Sequence, residues 1–312
     1  MALAFTFPGQ GSQAVGMGQA LAADFAVARE VFDEVDDALG QKLSALMADG
    51  PAEDLTLTEN AQPAIMANSI ATMRVLKAEY GIDVSAAKFV AGHSLGEYSA
   101  LCAAGSLSLA RTAKLLKLRG QAMQQAVAPG EGAMAALLGA DQDQAEAAVA
   151  AGSSEGIVAI ANDNAPGQIV ISGAKAAVEA ALAAAKENGV RKAMSLPVSA
   201  PFHCPLMQPA AEAMAQALEE ATIAAPVVPL VNNVSAEAVS DPEVIRAQLV
   251  EQVTGKVRWR ESVDWMYAQG VTRFAEAGAK VLVTMMKRHI REAEGIALTD
   301  RDAFEGFAET LR

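Results

Sequence analysis

The feature that most constrains the fold is a glycine-flanked serine, Gly-His-Ser-Leu-Gly at positions 92–96. A short apolar run, 88–91, precedes it, and residues 97–104 form a helical pattern that ends at Gly105. A G-x-S-x-G sequence between a strand and a helix holds the serine on a sharp turn, because its glycines let both backbones approach closely. The alternative is a serine in an ordinary loop. We predict an α/β fold that presents the Ser94 hydroxyl as a nucleophile.

A serine nucleophile needs a base at neutral pH, and the chain has three histidines. His93 neighbours Ser94 on the turn, so we expect its side chain to point elsewhere and to pack or cap the loop. His289 follows two basic residues in a C-terminal helix, where a solvated histidine is expected. His203 lies in a proline-bracketed loop at 197–205. We therefore predict His203 as the base, oriented by a carboxylate or by a main-chain carbonyl.

An acyl-transfer reaction through Ser94 also needs donors for the oxyanion. Leu95 follows the nucleophile at a helix N-terminus, where its main-chain N–H is free. The apolar run 3–7 predicts a buried strand that ends in a glycine loop at 8–12. We expect this loop to supply the second donor, the main-chain N–H of Gln10.

The order of predicted elements divides the chain into two units. Residues 131–196 have the strand–helix–strand–strand–helix–strand pattern of a ferredoxin-like βαββαβ unit, and 162–167 is its predicted central turn. Residues 1–130 and 197–312 are predicted to form a discontinuous α/β core around it. In this core we expect Pro63 to open a helix that ends at Gly81, and a final helix to follow Gly278.

Composition restricts the possible partners and the compartment. The 312 residues are 52% hydrophobic and 20% charged, as in a globular protein, and the net charge of −13 disfavours binding to nucleic acid or to anionic membranes. Two cysteines without metal-type spacing predict neither a disulfide framework nor a metal site. Without a signal peptide or a membrane-spanning apolar run, the chain is expected in the cytoplasm.

Several separated motifs resemble the malonyl-CoA:acyl-carrier-protein transacylases of bacterial fatty acid synthesis, a family related to polyketide synthase acyltransferase domains. They are Phe-Pro-Gly-Gln-Gly-Ser-Gln at 7–13, the elbow extended to Leu101, Arg-Gly at 119–120, Ala-Pro-Phe-His at 200–203 and Val-Asn-Asn-Val at 231–234. The resemblance runs nearly end to end. It implies an α/β-hydrolase-like core with a parallel sheet, bounded as above, that carries the inserted ferredoxin-like subdomain.

The resemblance also assigns roles to residues. It implies Ser94 and His203 as the catalytic pair, in agreement with the pattern above, with the main-chain N–H groups of Gln10 and Leu95 as the oxyanion hole. It further implies that the main-chain carbonyl of Gln252 orients His203.

Two residues are implied in substrate binding. Arg119 would hold the malonyl carboxylate, since a guanidinium binds a carboxylate through two hydrogen bonds. By spacing alone, Arg119 would belong to a solvated basic face with Arg111, Lys114 and Lys117. Phe202 would favour malonyl over methylmalonyl, or it packs its loop against the core. One departure is visible at 276–282, where this chain lacks one residue and one glycine of the family's usual Glu-x-Gly-Pro-Gly-Lys-Val-Leu.

The implied activity is ping-pong transfer of malonyl from malonyl-CoA, through a malonyl-serine, to the phosphopantetheine thiol of acyl carrier protein for fatty acid biosynthesis. No cofactor or metal is expected, and the protein is expected to be a monomer. The alternatives are a serine hydrolase or thioesterase, a polyketide-pathway acyltransferase and a non-catalytic carrier-docking protein. Lys192, Lys287 and Arg288 are candidate contacts for an acidic carrier.

Overall fold

The computed structural model describes residues 2–198 and 200–311. Ser199 of the predicted proline-bracketed loop, and the chain ends Met1 and Arg312 that bound the predicted core, lie outside the described residues. In chain order the strands are β1 Ala2–Phe7, β2 Phe89–Gly92, β3 Gly132–Leu138, β4 Val158–Ala165, β5 Gln168–Ala174, β6 Lys192–Ser195, β7 Leu230–Val231, β8 Ala238–Val239, β9 Val271–Ala277 and β10 Glu294–Leu298.

The helices surround these strands and fill most of the remaining chain. In chain order they are α1 Gln19–Asp24, α2 Ala26–Leu39, α3 Leu43–Asp49, α4 Ala52–Thr56, α5 Thr58–Tyr80, α6 Gly96–Ala103, α7 Leu109–Gln125, α8 Gln142–Gly152, α9 Lys175–Glu187, α10 Gln208–Glu219, α11 Pro242–Thr254, α12 Trp259–Ala268, α13 Leu282–Met286 and α14 Arg301–Glu309.

The larger unit is built on a six-stranded sheet in the order β10-β9-β1-β2-β7-β8, parallel except for β8. Its central strand β1 is apolar except for Thr6, because both faces are covered. Leu3, Phe5 and Phe7 pack into the core beside α2 and α5, whereas Ala4 faces the cluster around Trp259 of α12. The carboxyl ends of β1 and β2 meet side by side, since Phe7 pairs with Gly92. The loop after β1 therefore lies next to the elbow after β2.

The smaller unit is an antiparallel sheet in the order β4-β5-β3-β6, with α8 and α9 packed on it around their own apolar cluster. This is the strand order of a ferredoxin-like βαββαβ unit. The predicted fold class, a parallel-sheet α/β core with an inserted antiparallel unit, is confirmed.

Two predicted boundaries are wrong in instructive ways. Pro63 does not open its helix, because α5 begins at Thr58 and carries Pro63 in its second turn. Tertiary contacts hold the preceding turn: the Thr58 hydroxyl donates to the side chain of Gln10 at 2.8 Å, and the turn packs on Gly120 of α7. Contacts made elsewhere in the chain therefore outweigh the local preference of proline for a helix start.

The predicted central turn at 162–167 is also wrong. Residues 162–165 belong to β4, so only Pro166 and Gly167 form the turn. The main chain of this part of β4 bonds to the larger unit. The N–H of Asp163 donates to the carbonyl of Val257 at 3.0 Å, and the N–H of Val257 donates to the carbonyl of Ala161 at 2.8 Å.

The chain after Gly278 contains more than the single predicted helix. A short α13 is followed by the edge strand β10 and then by α14. Within residues 2–198 and 200–311, no helix combines the length and the apolar character that crossing a membrane requires.

The contact between α5 and α7 gives a stability prediction. A Cβ added at Gly120 would lie 2.5 Å from Cα and 2.7 Å from N of Glu59, and backbone cannot rotate away. We expect Gly120→Ala to lower the free energy of unfolding by about 2 kcal/mol or more, measured by urea denaturation.

Gly306→Ala is the matched control for this change. Nothing lies within 4 Å of the added Cβ at that position of α14. The control should therefore raise the free energy of unfolding by about 0.5–1 kcal/mol through helix propensity. Equal effects of the two changes would contradict the close packing of α5 on Gly120.

Candidate active site

The Ser94 elbow is a strained turn between β2 and α6. Ser94 has φ = 54°, a left-handed conformation that non-glycine residues rarely adopt. A Cβ at Gly92 would lie 1.9 Å from the carbonyl group of Gly96, and a Cβ at Gly96 would lie 2.2 Å from the carbonyl oxygen of Phe7. The flanking glycines are thus required by close backbone approach, and Ser94 stands at the carboxyl edge of the sheet.

His203 is brought to the nucleophile from 109 residues away in sequence. Its Nε2 lies 2.7 Å from Ser94 Oγ, and its Nδ1 donates to the main-chain carbonyl of Gln252 at 2.9 Å. A proton on Nδ1 leaves Nε2 free to accept the serine proton. The group that orients this imidazole is therefore a main-chain carbonyl.

The electrostatic surroundings keep His203 neutral. Its side chain is buried, and desolvation, followed by the positive charge of Arg119, lowers its pKa to about 3. A histidine that is neutral in the resting site can act as a base without first losing a proton.

Arg119 reaches the same serine from α7. Its Nη2 donates to Ser94 Oγ at 3.1 Å and to the side-chain oxygen of Gln252 at 2.9 Å, while its Nη1 donates to the side-chain oxygen of Gln62 at 2.8 Å. All three acceptors are neutral, and among the described residues no carboxylate forms an ion pair with Arg119. The nucleophile thus lies beside a buried positive charge that is held without a bonded anion.

The solvated basic face suggested by spacing is wrong for Arg119, which is only 1% exposed. Along α7 it shares the buried side with Leu116 and Met123, three residues before and four after it, whereas Arg111 and Lys114 face solvent.

The two proposed oxyanion donors flank the serine. Gln10, in the loop after β1, and Leu95, at the start of α6, both line the cavity that contains Ser94. Within the described ranges, neither main-chain N–H donates to another residue of the chain. Two free N–H groups at adjoining backbone turns can receive a developing oxyanion.

A buried polar network beneath the elbow was not found from the sequence. The carboxylate of Glu97 accepts from the side-chain amides of Gln252 at 2.8 Å and Asn232 at 2.6 Å, and from the main chain of Asn233 at 3.2 Å. Burial raises the pKa of Glu97 to about 7, against the lowering effect of these hydrogen bonds. The Asn233 side chain accepts from the N–H of Ser94 at 2.7 Å, which fixes the elbow backbone.

The Ser94 cavity has a volume of about 470 Å³ and lies between the two units. Gln10, Ser94 and Arg119 line it from the larger unit, and Asn162 and Asn164 of β4 line it from the smaller one. The other lining groups are mostly apolar and include Met123, Met134, Val170, Leu196, Val198, Leu282 and Met285. An elongated chain with an acyl end could pass between the units to Ser94.

Phe202, the proposed specificity residue, lines the cavity and is 8% exposed. It also belongs to the main apolar cluster, so packing its loop and shaping the cavity are compatible roles.

The other two histidines have different surroundings from that of the base. His93 Nε2 lies 2.7 Å from the side-chain oxygen of Asn164, which links the elbow to β4. The prediction that His289 is solvated is wrong. His289 follows α13, its side chain is 11% exposed, and its Nε2 lies 3.1 Å from Asp264.

The shortened segment at 276–282 closes without disturbing the catalytic pair. Gly278, with φ = 80°, turns the chain after β9. The buried carboxylate of Glu276 then accepts from the N–H groups of Val281 and Val283 at 3.0 Å each, at the start of α13. Among the described residues, no group of three or more histidine, cysteine, aspartate or glutamate side chains is arranged to hold a metal ion.

Comparisons with known proteins place the chain in a family of acyltransferases. The family model of the acyl transferase domain matches residues 4–300. The malonyl CoA-acyl carrier protein transacylase of Bacillus subtilis is 46% identical, over 99% of this chain and 97% of that protein. The crystal structure of an acyl-carrier-protein-S-malonyltransferase from Bartonella henselae is 53% identical with a TM-score of 0.97, over 100% of this chain and 99% of that one.

A third comparison includes a carrier. A structure of a type II PKS acyl-carrier protein in complex with its malonyl-transacylase is 40% identical to this chain with a TM-score of 0.96. The match covers 99% of this chain and 100% of that one.

The neutral state of His203 gives a pH prediction. Because the base must be neutral and its pKa is lowered to about 3, labelling of Ser94 by an uncharged fluorophosphonate should not decline near the ordinary histidine pKa of 6.5. The labelling rate should fall only at markedly lower pH. Arg119→Gln removes the second cause of the lowered pKa, so its decline should begin at higher pH than in the unmodified chain.

Circular dichroism at each pH serves as the control that the protein remains folded. A decline centred near pH 6.5 in the folded chain that persists in a Glu97→Gln variant, which lacks the other group with a pKa near 7, would show that His203 is not held neutral.

Proposed function

Because this chain belongs to the acyl transferase family, we propose that it moves a malonyl group from malonyl-CoA to the phosphopantetheine thiol of acyl carrier protein. The observation that carries this proposal is the buried guanidinium of Arg119, 3.1 Å from Ser94 Oγ and bonded only to neutral acceptors. Malonyl differs from acetyl by one carboxylate. A guanidinium that has already lost its water favours the acyl group that brings an anion.

The first half of the proposed cycle loads the serine. His203 Nε2 takes the proton of Ser94 Oγ as the oxygen attacks the thioester carbonyl carbon, and the N–H groups of Gln10 and Leu95 receive the oxyanion. The carbon–sulfur bond then breaks, the imidazolium returns its proton to the sulfur, and CoA leaves. The product is a malonyl ester of Ser94.

The second half reverses these steps with a different thiol. His203 takes the proton of the carrier's phosphopantetheine thiol, the thiolate attacks the malonyl ester, and Ser94 recovers its proton as the ester bond breaks. The proposed cycle involves only side chains and main-chain amides of this protein, with no cofactor. The proposed cycle needs no group from a second copy of the chain, and we propose a monomer. Its two free cysteines fit the expected cytoplasmic setting.

We propose fatty acid biosynthesis as the pathway. The similarity to a malonyl-transacylase in complex with a type II PKS carrier makes a polyketide carrier the second candidate. Transfer rates to holo-carriers of the two types distinguish these pathways.

The central test follows the acyl group on Ser94. Intact mass after incubation with malonyl-CoA should show a persistent malonyl adduct that a holo-carrier removes. Arg119→Ala should slow malonyl loading at least about 100-fold, because the carboxylate loses its charged partner, but acetyl loading far less.

Lys117→Ala is the matched control. It removes a cation from the same helix, where Lys117 bonds Glu59 at 3.1 Å outside the cavity, so both loading rates should be unchanged. Equal losses for malonyl and acetyl in Arg119→Ala would refute the role of Arg119. Rapid release of free malonate by the unmodified chain would instead identify a hydrolase.

We propose that Lys287 and Arg288 attract the acidic carrier despite the net charge of −13. Both are exposed directly after α13, which lines the cavity through Leu282 and Met285. Lys192 is also exposed, but it begins β6 about 13 Å along the strand from the cavity-lining Leu196.

The role of Lys287 and Arg288 is tested with protein that already carries a malonyl group on Ser94. Transfer to a holo-carrier should slow as salt rises and should slow further in a Lys287→Glu, Arg288→Glu double variant. Lys192→Glu should have a smaller effect, and transfer to N-acetylcysteamine should be unaffected in all variants. Carrier transfer that is insensitive to salt would rule out electrostatic docking.

A further inference from the structure

An ion pair joins the two units directly behind the cavity wall. Asp163 of β4, whose side chain is 3% exposed, accepts from Nε of Arg260 at 3.1 Å with each oxygen and from its Nη2 at 2.8 Å. Arg260 lies on α12 of the larger unit and is 31% exposed at its side chain. This two-pronged hydrogen bonding fixes the orientation of the Asp163 carboxylate as well as its distance from Arg260.

The position of Asp163 along β4 gives this pair its importance. Asn162 and Asn164, on either side of it, line the cavity, whereas Asp163 turns away from the cavity toward α12. The main chain is held at the same place, since the N–H of Asp163 donates to the carbonyl of Val257 at 3.0 Å. The strand is therefore anchored from behind at the two amides that face the substrate space.

The same strand, β4, is also bonded to the residue that precedes the nucleophile. Asn164 accepts from Nε2 of His93 at 2.7 Å, and His93 directly precedes Ser94. On its other side Arg260 donates to Asp264 at 3.2 Å, and Asp264 lies 3.1 Å from His289, which follows α13. A row of polar and charged side chains thus connects β4 and the end of α13, two elements that line the cavity, through α12 behind them.

We propose that Arg260 is a positioning residue, which sets the cavity wall by holding β4, and with it Asn162 and Asn164, at a fixed distance from Ser94. The inference rests on the proposed malonyl transfer. Arg260 does not line the cavity, so it acts on acyl-CoA binding through the residues that it holds, Asp163 first among them. Loss of Arg260 leaves a buried carboxylate unpaired and removes the contact that holds β4 against α12.

The test compares Arg260→Gln with the double variant Asp163→Asn, Arg260→Gln. The single variant should raise KM for malonyl-CoA about tenfold, while Ser94 labelling by a small fluorophosphonate stays within about twofold, because the catalytic pair lies in the larger unit. The double variant should leave KM raised about threefold or more, since removing the unpaired charge does not restore the contact that holds β4. A full return to the unmodified KM would show that the unpaired charge alone raised it and would overturn the positioning role.

Arg246→Gln is the matched control. Arg246 is also a partly buried arginine, but its contacts with Glu243 and the carbonyl of Ala221 stay inside the larger unit, so KM should not change. Arg260→Lys, which keeps the charge and loses the two-pronged geometry, should give an intermediate KM and serves if Arg260→Gln does not fold.

Binding and exchange measurements complete the test. In a Ser94→Ala background, calorimetry should show the same weakening of malonyl-CoA binding, and hydrogen exchange should show faster exchange in β4 for the single variant. A lower melting temperature with unchanged KM and Kd would show a merely structural pair and overturn the inference. Failure of the unmodified chain to bind or load malonyl-CoA would instead overturn the proposed function.

Discussion

The left-handed backbone at Ser94 is the constraint on which the rest of the site depends. That conformation is unfavourable for serine by roughly 1–3 kcal/mol, so it persists only because the surroundings determine it several times over. Gly92 and Gly96 permit the close approach of β1, β2 and α6, while Asn233 bonds both the N–H of Ser94 and the carbonyl of Gly92. The parallel pairing of β1 with β2 then places the loop of Gln10 beside the elbow. The nucleophile and the proposed oxyanion hole are thus consequences of one packed junction.

Gln252 joins the three functional parts of this junction. Its main-chain carbonyl orients His203, its side-chain oxygen accepts from Arg119, and its side-chain N–H groups bond the carbonyl of Ser94 and the carboxylate of Glu97. Because the amide must present its oxygen to a guanidinium and its nitrogen to a carboxylate, only one of its two orientations satisfies every partner. A buried carboxyl group whose two oxygens both accept from donors therefore fixes the direction of the whole network. His203, Arg119 and Ser94 share this one rigid support.

Sequence patterns anticipated the fold class, and they pointed to Ser94 and His203 because glycine flanks are local and histidines are scarce in this chain. The amide partners could not be found in this way. Gln62 and Gln252 have no local signature, and each meets Arg119 only after folding has brought distant segments together. The same limit explains the turn predicted at 162–167, whose polar residues are strand residues satisfied by α12 and the segment before it. The local sequence pattern indicates which backbone conformation a segment prefers. Partners from distant parts of the chain determine how its buried polar groups are hydrogen-bonded.

Under the proposed function, the charge of Arg119 links selectivity to the base. Its guanidinium is largely desolvated by folding, since Arg119 is only 1% exposed, so an entering carboxylate meets a cation with little water to lose. The same charge is one cause of the lowered pKa of His203, second to burial. A malonyl carboxylate bound to Arg119 offsets that charge and makes His203 a stronger base, whereas an acetyl group brings no charge to offset it. Selection for malonyl therefore acts on the chemical step at Ser94 as well as on binding.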